Sequence, residues 1–289
     1  MFGERLDRAH RAAGSLVCVG LDPDIAKLPA DLRDGSRPLL AFGRRVVDAT
    51  FDIAAAYKPQ IAFYSALGAE NQLCSTIRYI RERAPNALII LDAKRGDIGN
   101  TAEAYVREAF DRYGADAVTV NPYMGEDSVR PFLARKDRGA LILCRTSNPG
   151  GQDFQNLILD GLPLYRHVAR RATGAWNEFG NVMLVVGATV PKEMAELRAA
   201  HPNVTFLVPG IGAQNGDLKA VLAAGLDAQG MGLLISASRS IIYAGGGASA
   251  AIRAAAAQLH QEINAERSLK GALDHAAIDA QRRSIGGGG

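Results

Sequence analysis

The sequence predicts a single (β/α)8 barrel, an α/β fold of the TIM type, on three observations. Apolar runs typical of buried strands alternate with helical patterns, which marks a parallel sheet. Eight such strand–helix units follow one another within 289 residues, a count and a length that suit a closed barrel. No stretch rich in Pro, Gly or Ser divides the series, and no G-x-G-x-x-G opens a helix after the first strand, as an open dinucleotide-binding sheet would require.

The elements follow in order. The first strand is expected over Ser15–Asp22 and its helix near Leu39–Ala54. A short second strand, Ala55–Gln60, precedes a helix from about Ala66 to Arg83, and Ala87–Lys94 with Thr101–Tyr113 makes the third unit. Ala117–Asn121 pairs with a helix over Ser128–Arg135, and Ala140–Thr146 with Leu164–Phe179, where Gly180 reads as a C-cap. The last three units are Val182–Gly187 with Lys192–Ala200, Thr205–Val208 with Leu218–Ala224 capped by Gly225, and Gly232–Ala237 with Ala248–Ala265. One barrel domain is expected over residues 1–285, and the glycines 286–289 read as a tail that cannot pack.

Composition narrows the function. Hydrophobic residues make up 48% of the chain and charged residues 22%, with a formal net charge of +3. That balance carries no signature of nucleic-acid or membrane-surface binding and leaves room for a small anionic ligand. Cys18, Cys74 and Cys144 lie in apolar segments without metal-ligand spacing, so they read as reduced core residues of a cytoplasmic protein. The N-terminus reads as charged then polar, without a signal region, and no apolar run approaches the roughly 18 residues of a membrane span. His10, His167, His201, His260 and His275 fall in helices, at helix ends or in the tail, so no metal site is expected.

In a barrel of this type the active site gathers where strands end and their following loops begin. The third strand carries the densest chemistry, Leu91-Asp92-Ala93-Lys94-Arg95-Gly96-Asp97. Strand alternation sends Asp92 and Lys94 to the same face, Asp97 follows in the turn, and Asn100 with Glu103 resembles a capping box. A D-x-K pair alone also fits a structural ion pair; the apolar lead-in makes unpaired charge costly there. Asp22 at the first strand tip and Lys58 at the second bring the total to five charges of alternating sign, enough for a mutually neutralising network. The fifth strand ends Arg145-Thr146-Ser147-Asn148 and leads into a loop to about Gly161, long enough to serve as a lid. Gly210, Gly212 and Gln214 after the seventh strand, with Ser238-Arg239 after the eighth, suit a phosphate.

The run Asp92-Ala93-Lys94-Arg95-Gly96-Asp97-Ile98-Gly99-Asn100-Thr101-Ala102 resembles the signature of the orotidine 5′-phosphate decarboxylases, closest to their longer bacterial branch. The likeness extends from Gly20-Leu21-Asp22 through Tyr57-Lys58-Pro59 and Cys144–Gly150 to Pro209–Gln214 and Ser238-Arg239. It implies conversion of orotidine 5′-monophosphate to uridine 5′-monophosphate and CO2 with neither cofactor nor metal. It further implies Lys94 as proton donor to C6, Asp92 near the departing carboxylate, and Lys58 bridging acids and ribose. Asp97 and Thr101 would reach into the site of a second subunit, making a homodimer necessary. Asp22 would bind ribose and Ser147 the pyrimidine edge; Gln214 and Arg239, with Gly210, Gly212 and Ser238 around them, would bind the phosphate, and Ile98 would complete the substrate contacts. Ser238 stands where the shorter branch usually has glycine. A magnesium-dependent decarboxylase or aldolase acting on a sugar phosphate shares D-x-K-x-x-D, and a non-catalytic nucleotide-binding barrel is the alternative of another class.

Overall fold

Eight parallel strands close into a barrel in the computed structural model. They are β1 (Val17–Leu21), β2 (Ala56–Pro59), β3 (Leu88–Arg95), β4 (Ala117–Val120), β5 (Gly139–Arg145) and, beyond a small antiparallel hairpin of β6 (Ile158–Leu159) and β7 (Leu162–Pro163), β8 (Val182–Val186), β9 (Phe206–Pro209) and β10 (Leu233–Ala237). The ring closes through β10 against β1, with Val17 opposite Ile235. The structure describes residues 1–212 and 216–286, with side chains through Leu269.

Strand alternation divides the apolar residues into two cores. Leu88, Ile90, Ala117, Leu141, Met183, Leu207 and Leu234 fill the barrel interior. Ile89, Leu91, Val118, Ile142, Leu184, Val208 and Ile235 face outward against the helices. A helix over Phe2–Ala13, which the sequence reading did not assign, sends Phe2, Leu6 and Ala9 into the inner core and closes the N-terminal mouth. Phe2 lies so close to Gly139 that any β-carbon there would overlap its ring. At that end Asp116, fully buried, takes Arg5 and Arg81 as partners at 2.8 and 2.6 Å and accepts from the Ile89 amide. The opposite mouth is therefore the open one.

Every expected strand is present within two residues of its expected ends. The helices needed more correction. The helix expected from about Ala66 begins only at Glu70 and runs to Arg83, and a separate short helix, Ile61–Ser65, precedes it; Gly68 turns the chain at φ 59° between the two. The helix from Leu164 ends at Thr173 with Gly174, not Gly180, as its cap; a β-carbon on Gly174 would stand 2.8 Å from the Arg170 carbonyl oxygen. Gly225 is the last residue of its helix rather than its cap, and the place of its missing β-carbon is taken by the Met194 sulfur. No Asn100–Glu103 capping box forms, since that helix already begins at Gly99 and takes Ile98 as N-cap. The final helix continues well past Ala265, to Gly286; residues 287–289 of the expected tail lie outside the described residues. Cys18 and Cys144 are buried, as expected, whereas Cys74 is only half-buried.

Candidate active site

The open mouth is built around one carboxylate. Asp92 continues the inward-facing series Leu88–Ile90 on β3 and is 7% exposed. Lys58, inward from β2, donates to its Oδ2 at 2.8 Å, and Lys94 donates to its Oδ1 at 2.6 Å. The two ammonium groups differ in environment: the Lys58 side chain is 7% exposed, that of Lys94 48%. Lys58 is thus a buried counter-ion, and Lys94 presents its ammonium at the mouth.

Electrostatics keeps Asp92 and Lys58 charged despite their burial. Burial pushes the Asp92 carboxyl up, but the charges and hydrogen bonds of Lys58 and Lys94 outweigh it and hold the group well below the usual carboxylate range. Burial likewise pulls the Lys58 ammonium down, and Asp92 with Asp22 more than reverses it. Two cations on one carboxylate leave the cluster with one net positive charge, suited to a ligand that is or becomes anionic.

Lys94 reaches Asp92 by a route that strand alternation does not foresee. Ile90 pairs with Ala117 and Leu91 with Val118, yet Arg95 pairs with Val120, so β3 spends four residues where β4 spends two. Within this bulge Lys94 takes the left-handed conformation, φ 47°, which costs a residue with a β-carbon about 1–3 kcal/mol. The bulge returns Arg95 to the outer face, where its guanidinium meets Glu108 through two 2.9 Å hydrogen bonds and stacks over Tyr105. The Thr119 hydroxyl accepts from the Ala93 and Lys94 amides and donates to Asp92 Oδ1, each at 2.9 Å. The sequence reading missed Thr119, although β4 register sets it beside Asp92.

The remaining expected residues divide. Asp22 sits at the tip of β1, where Oδ1 is buried without a hydrogen-bond partner among the described residues; Tyr243 holds this turn by donating to the Asp22 carbonyl and accepting from the Asp24 amide. Asp97 does not join the charge cluster: its Oδ1 accepts from the Ile98 amide at 2.8 Å. The expected five-charge network is therefore a contact triad of Lys58, Asp92 and Lys94, because the bulge ends β3 before Asp97 and the chain turns away into the helix at Gly99. Ile98 and Thr101 are exposed at the start of that helix.

Ser147 packs directly on Gly187 at the end of β8, whose β-carbon would stand 2.6 Å from the Ser147 amide nitrogen. The loop beyond it is tied to β5 by Gln155, which accepts from the Thr146 amide and the buried Arg145 guanidinium. It then projects Phe154, Leu157, Ile158 and Leu159 into solvent. After β9, Gly210 (φ 109°) and Gly212 (φ 78°) take conformations open to glycine, and Gly216 donates back to the Gly210 carbonyl. Gln214 lies outside the described residues. Gly212 abuts Ser240, so this turn borders the short helix Arg239–Ile242, and Arg239 is exposed there. Ser238, the N-cap, fills the space above Gly20, whose β-carbon would stand 2.6 Å from that of Ser238.

A (β/α)8 barrel with a lysine–carboxylate–lysine cluster at its open mouth, and a glycine turn beside an arginine across it, defines an enzyme that handles a small anionic ligand. Residues 15–255 match the family described as Orotidine 5'-phosphate decarboxylase / HUMPS. The chain belongs to that family. A protein of Janthinobacterium sp. named orotidine 5'-phosphate decarboxylase is 55% identical over 84% of this chain and 90% of its own length. One of the same name from Cellvibrio japonicus is 51% identical over 92% and 99%. The solved OMP decarboxylase of Leishmania donovani superposes with a TM-score of 0.81 at 43% identity, covering 92% of this chain and 98% of that one. Among the described residues no helix is long and apolar enough to cross a membrane.

Proposed function

We propose that this protein decarboxylates orotidine 5′-monophosphate to uridine 5′-monophosphate, with Lys94 as the proton donor. The observation that carries the reading is the pair of unlike lysines on Asp92: one buried, the other half-exposed at the mouth. The bond from C6 to the carboxylate breaks, CO2 leaves, and the electron pair stays on C6. A fixed ammonium stabilises that charge as it develops, then closes the reaction by giving C6 a proton. Lys94 is recharged by a proton from solvent. Asp92 stays ionised throughout and keeps the Lys94 ammonium at a defined place beside the reacting carbon.

Substrate recognition uses the rest of the mouth. The unpartnered Asp22 Oδ1 is an acceptor for a ribose hydroxyl, and Lys58 reaches the same sugar from beneath. Ser147 meets the pyrimidine edge. Arg239 takes the phosphate, with Gly210, Gly212 and Gln214 around it, and Ser238 at the head of its helix. Phosphate binding remote from C6 supplies energy to close the loop after β5, so a substrate lacking phosphate reacts slowly. Asp97 and Thr101, left outside the triad, complete the site of a second copy of the chain in a homodimer, and Ile98 adds a substrate contact. The free thiols of Cys18, Cys74 and Cys144 suit the cytoplasm.

The deciding experiment follows the absorbance of orotidine monophosphate in the presence of EDTA. Loss of absorbance with release of CO2 supports the decarboxylase. Activity that chelation abolishes would point to a metal-dependent sugar-phosphate enzyme, and nucleotide binding without turnover to a non-catalytic barrel.

A further inference from the structure

We infer that Thr119 is a positioning residue for the reaction, setting the places of both Asp92 and Lys94 through one hydroxyl; this rests on the decarboxylase reading above. The hydroxyl offers one proton and two lone pairs, and all three are used: its proton goes to Asp92 Oδ1, and its lone pairs receive the Ala93 and Lys94 amides. Asp92 Oδ1 is the same oxygen that holds the Lys94 ammonium. One side chain on β4 therefore fixes Lys94 at both ends, its backbone directly and its ammonium through the carboxylate.

Thr119 matters because the bulge in β3 breaks the sheet at this point. Leu91 and Arg95 keep register with β4, while the residues between them leave it, so the Ala93 and Lys94 amides lack the strand partners that a regular ladder would supply. The hydroxyl takes the place of those partners. It thereby stabilises the left-handed Lys94, which an unbulged strand would not contain. Thr119 is 1% exposed, so water cannot readily substitute. A side chain without the hydroxyl leaves two part-buried amides without this partner, and Lys94 free to relax out of its position.

The experiment compares Thr119→Val and Thr119→Ser in the full chain, measuring kcat and KM for orotidine monophosphate relative to the parent, with thermal unfolding alongside. Misplacing a catalytic group by about 1 Å costs on the order of 10²-fold. The valine variant is expected to lose about that much in kcat, with KM within about threefold, since the binding groups stay in place. Serine keeps the hydroxyl and should retain kcat within about threefold of the parent. If valine does not fold, Thr119→Ala is measured in its stead with the same expectation. A folded variant without the hydroxyl that turns over at the parental rate overturns the inference. So does a serine variant as impaired as valine, because packing of the methyl group would then be the cause. Failure of the parent itself to release CO2 would instead defeat the decarboxylase reading.

Discussion

Lys94 Nζ stands 2.6 Å from the Oδ1 of Asp92, two residues earlier on a strand that is bulged between them and their neighbours on β4. The contact looks like a simple i, i+2 pair on one strand face, but it forms on a backbone in the left-handed region. A pair needed only for stability could be had on a regular strand. The strained backbone is the cost of bringing the ammonium to the mouth while Lys58 occupies the other oxygen from within the barrel.

Asp92→Asn removes the charge that both lysines share while nearly preserving shape. Lys58 is then a buried ammonium left with Asp22 as its remaining acidic neighbour. Breaking a buried ion pair from one side typically costs about 3–5 kcal/mol. Urea unfolding should report a loss of that order, and turnover should fall with it. A variant as stable as the parent would show that Asp22 alone satisfies Lys58.

The same groups set a pH window. Asp92 has its folded value depressed, so its contribution is complete above the unfolded value, near 3.9, and is lost as pH falls toward the folded one. Lys58 has its folded value raised. Its contribution is complete below the unfolded value, near 10.4, and is lost as pH rises through the folded one. Stability owed to this pair should be level between about pH 4 and 10 and decline outside. Urea midpoints of parent and Asp92→Asn, compared across pH, check this: the difference between them should shrink below about pH 4.

Arg239→Ala should leave the fold intact, because Arg239 is exposed and makes no ion pair with any described residue. A charged hydrogen bond to phosphate is worth about 1.5–3 kcal/mol, so kcat/KM should fall roughly 10- to 150-fold. Steady-state kinetics with circular dichroism on the same sample decide it. An unchanged kcat/KM would remove Arg239 from the phosphate site.

Gly20 and Ser238 form a matched pair across the β1–β10 seam. Gly20→Ala would drive a β-carbon to 2.6 Å from that of Ser238, an overpacking that typically costs about 1–3 kcal/mol. The shift would also move the strand end that carries Arg239. Adding Ser238→Gly should recover stability and KM together. Recovery of neither would place the strain elsewhere.

The fold was legible because the barrel strands are short and apolar and several are closed by a polar tip, as in Leu88–Leu91 before Asp92 or Leu233–Ile235 before Ser236. Lys58, Asp92 and Lys94 were legible for the same reason: charge at the end of a buried strand has few other uses. The bulge was not, since it depends on pairing between β3 and β4, which neither strand announces alone. Thr119 followed it into obscurity, a hydroxyl inside an ordinary β-branched run. The Phe2–Ala13 helix was missed because its buried face is narrow, with Phe2, Leu6 and Ala9 among mostly charged neighbours, and acquires meaning only against the barrel floor. Gly174 and Gly180 are both reasonable stops by sequence, and only the crowding at the Arg170 carbonyl separates them.

The central claim is that the Lys94 ammonium meets the carbanion at C6, and Lys94→Ala tests it most directly. General-acid transfer contributes about 10²–10⁴-fold, and stabilisation of developing charge by one group about 10²–10³ more. Decarboxylation of orotidine monophosphate by the variant should therefore fall by at least about 10⁴-fold, while circular dichroism and thermal unfolding report an intact barrel. Turnover by folded Lys94→Ala within about tenfold of the parent would contradict the claim.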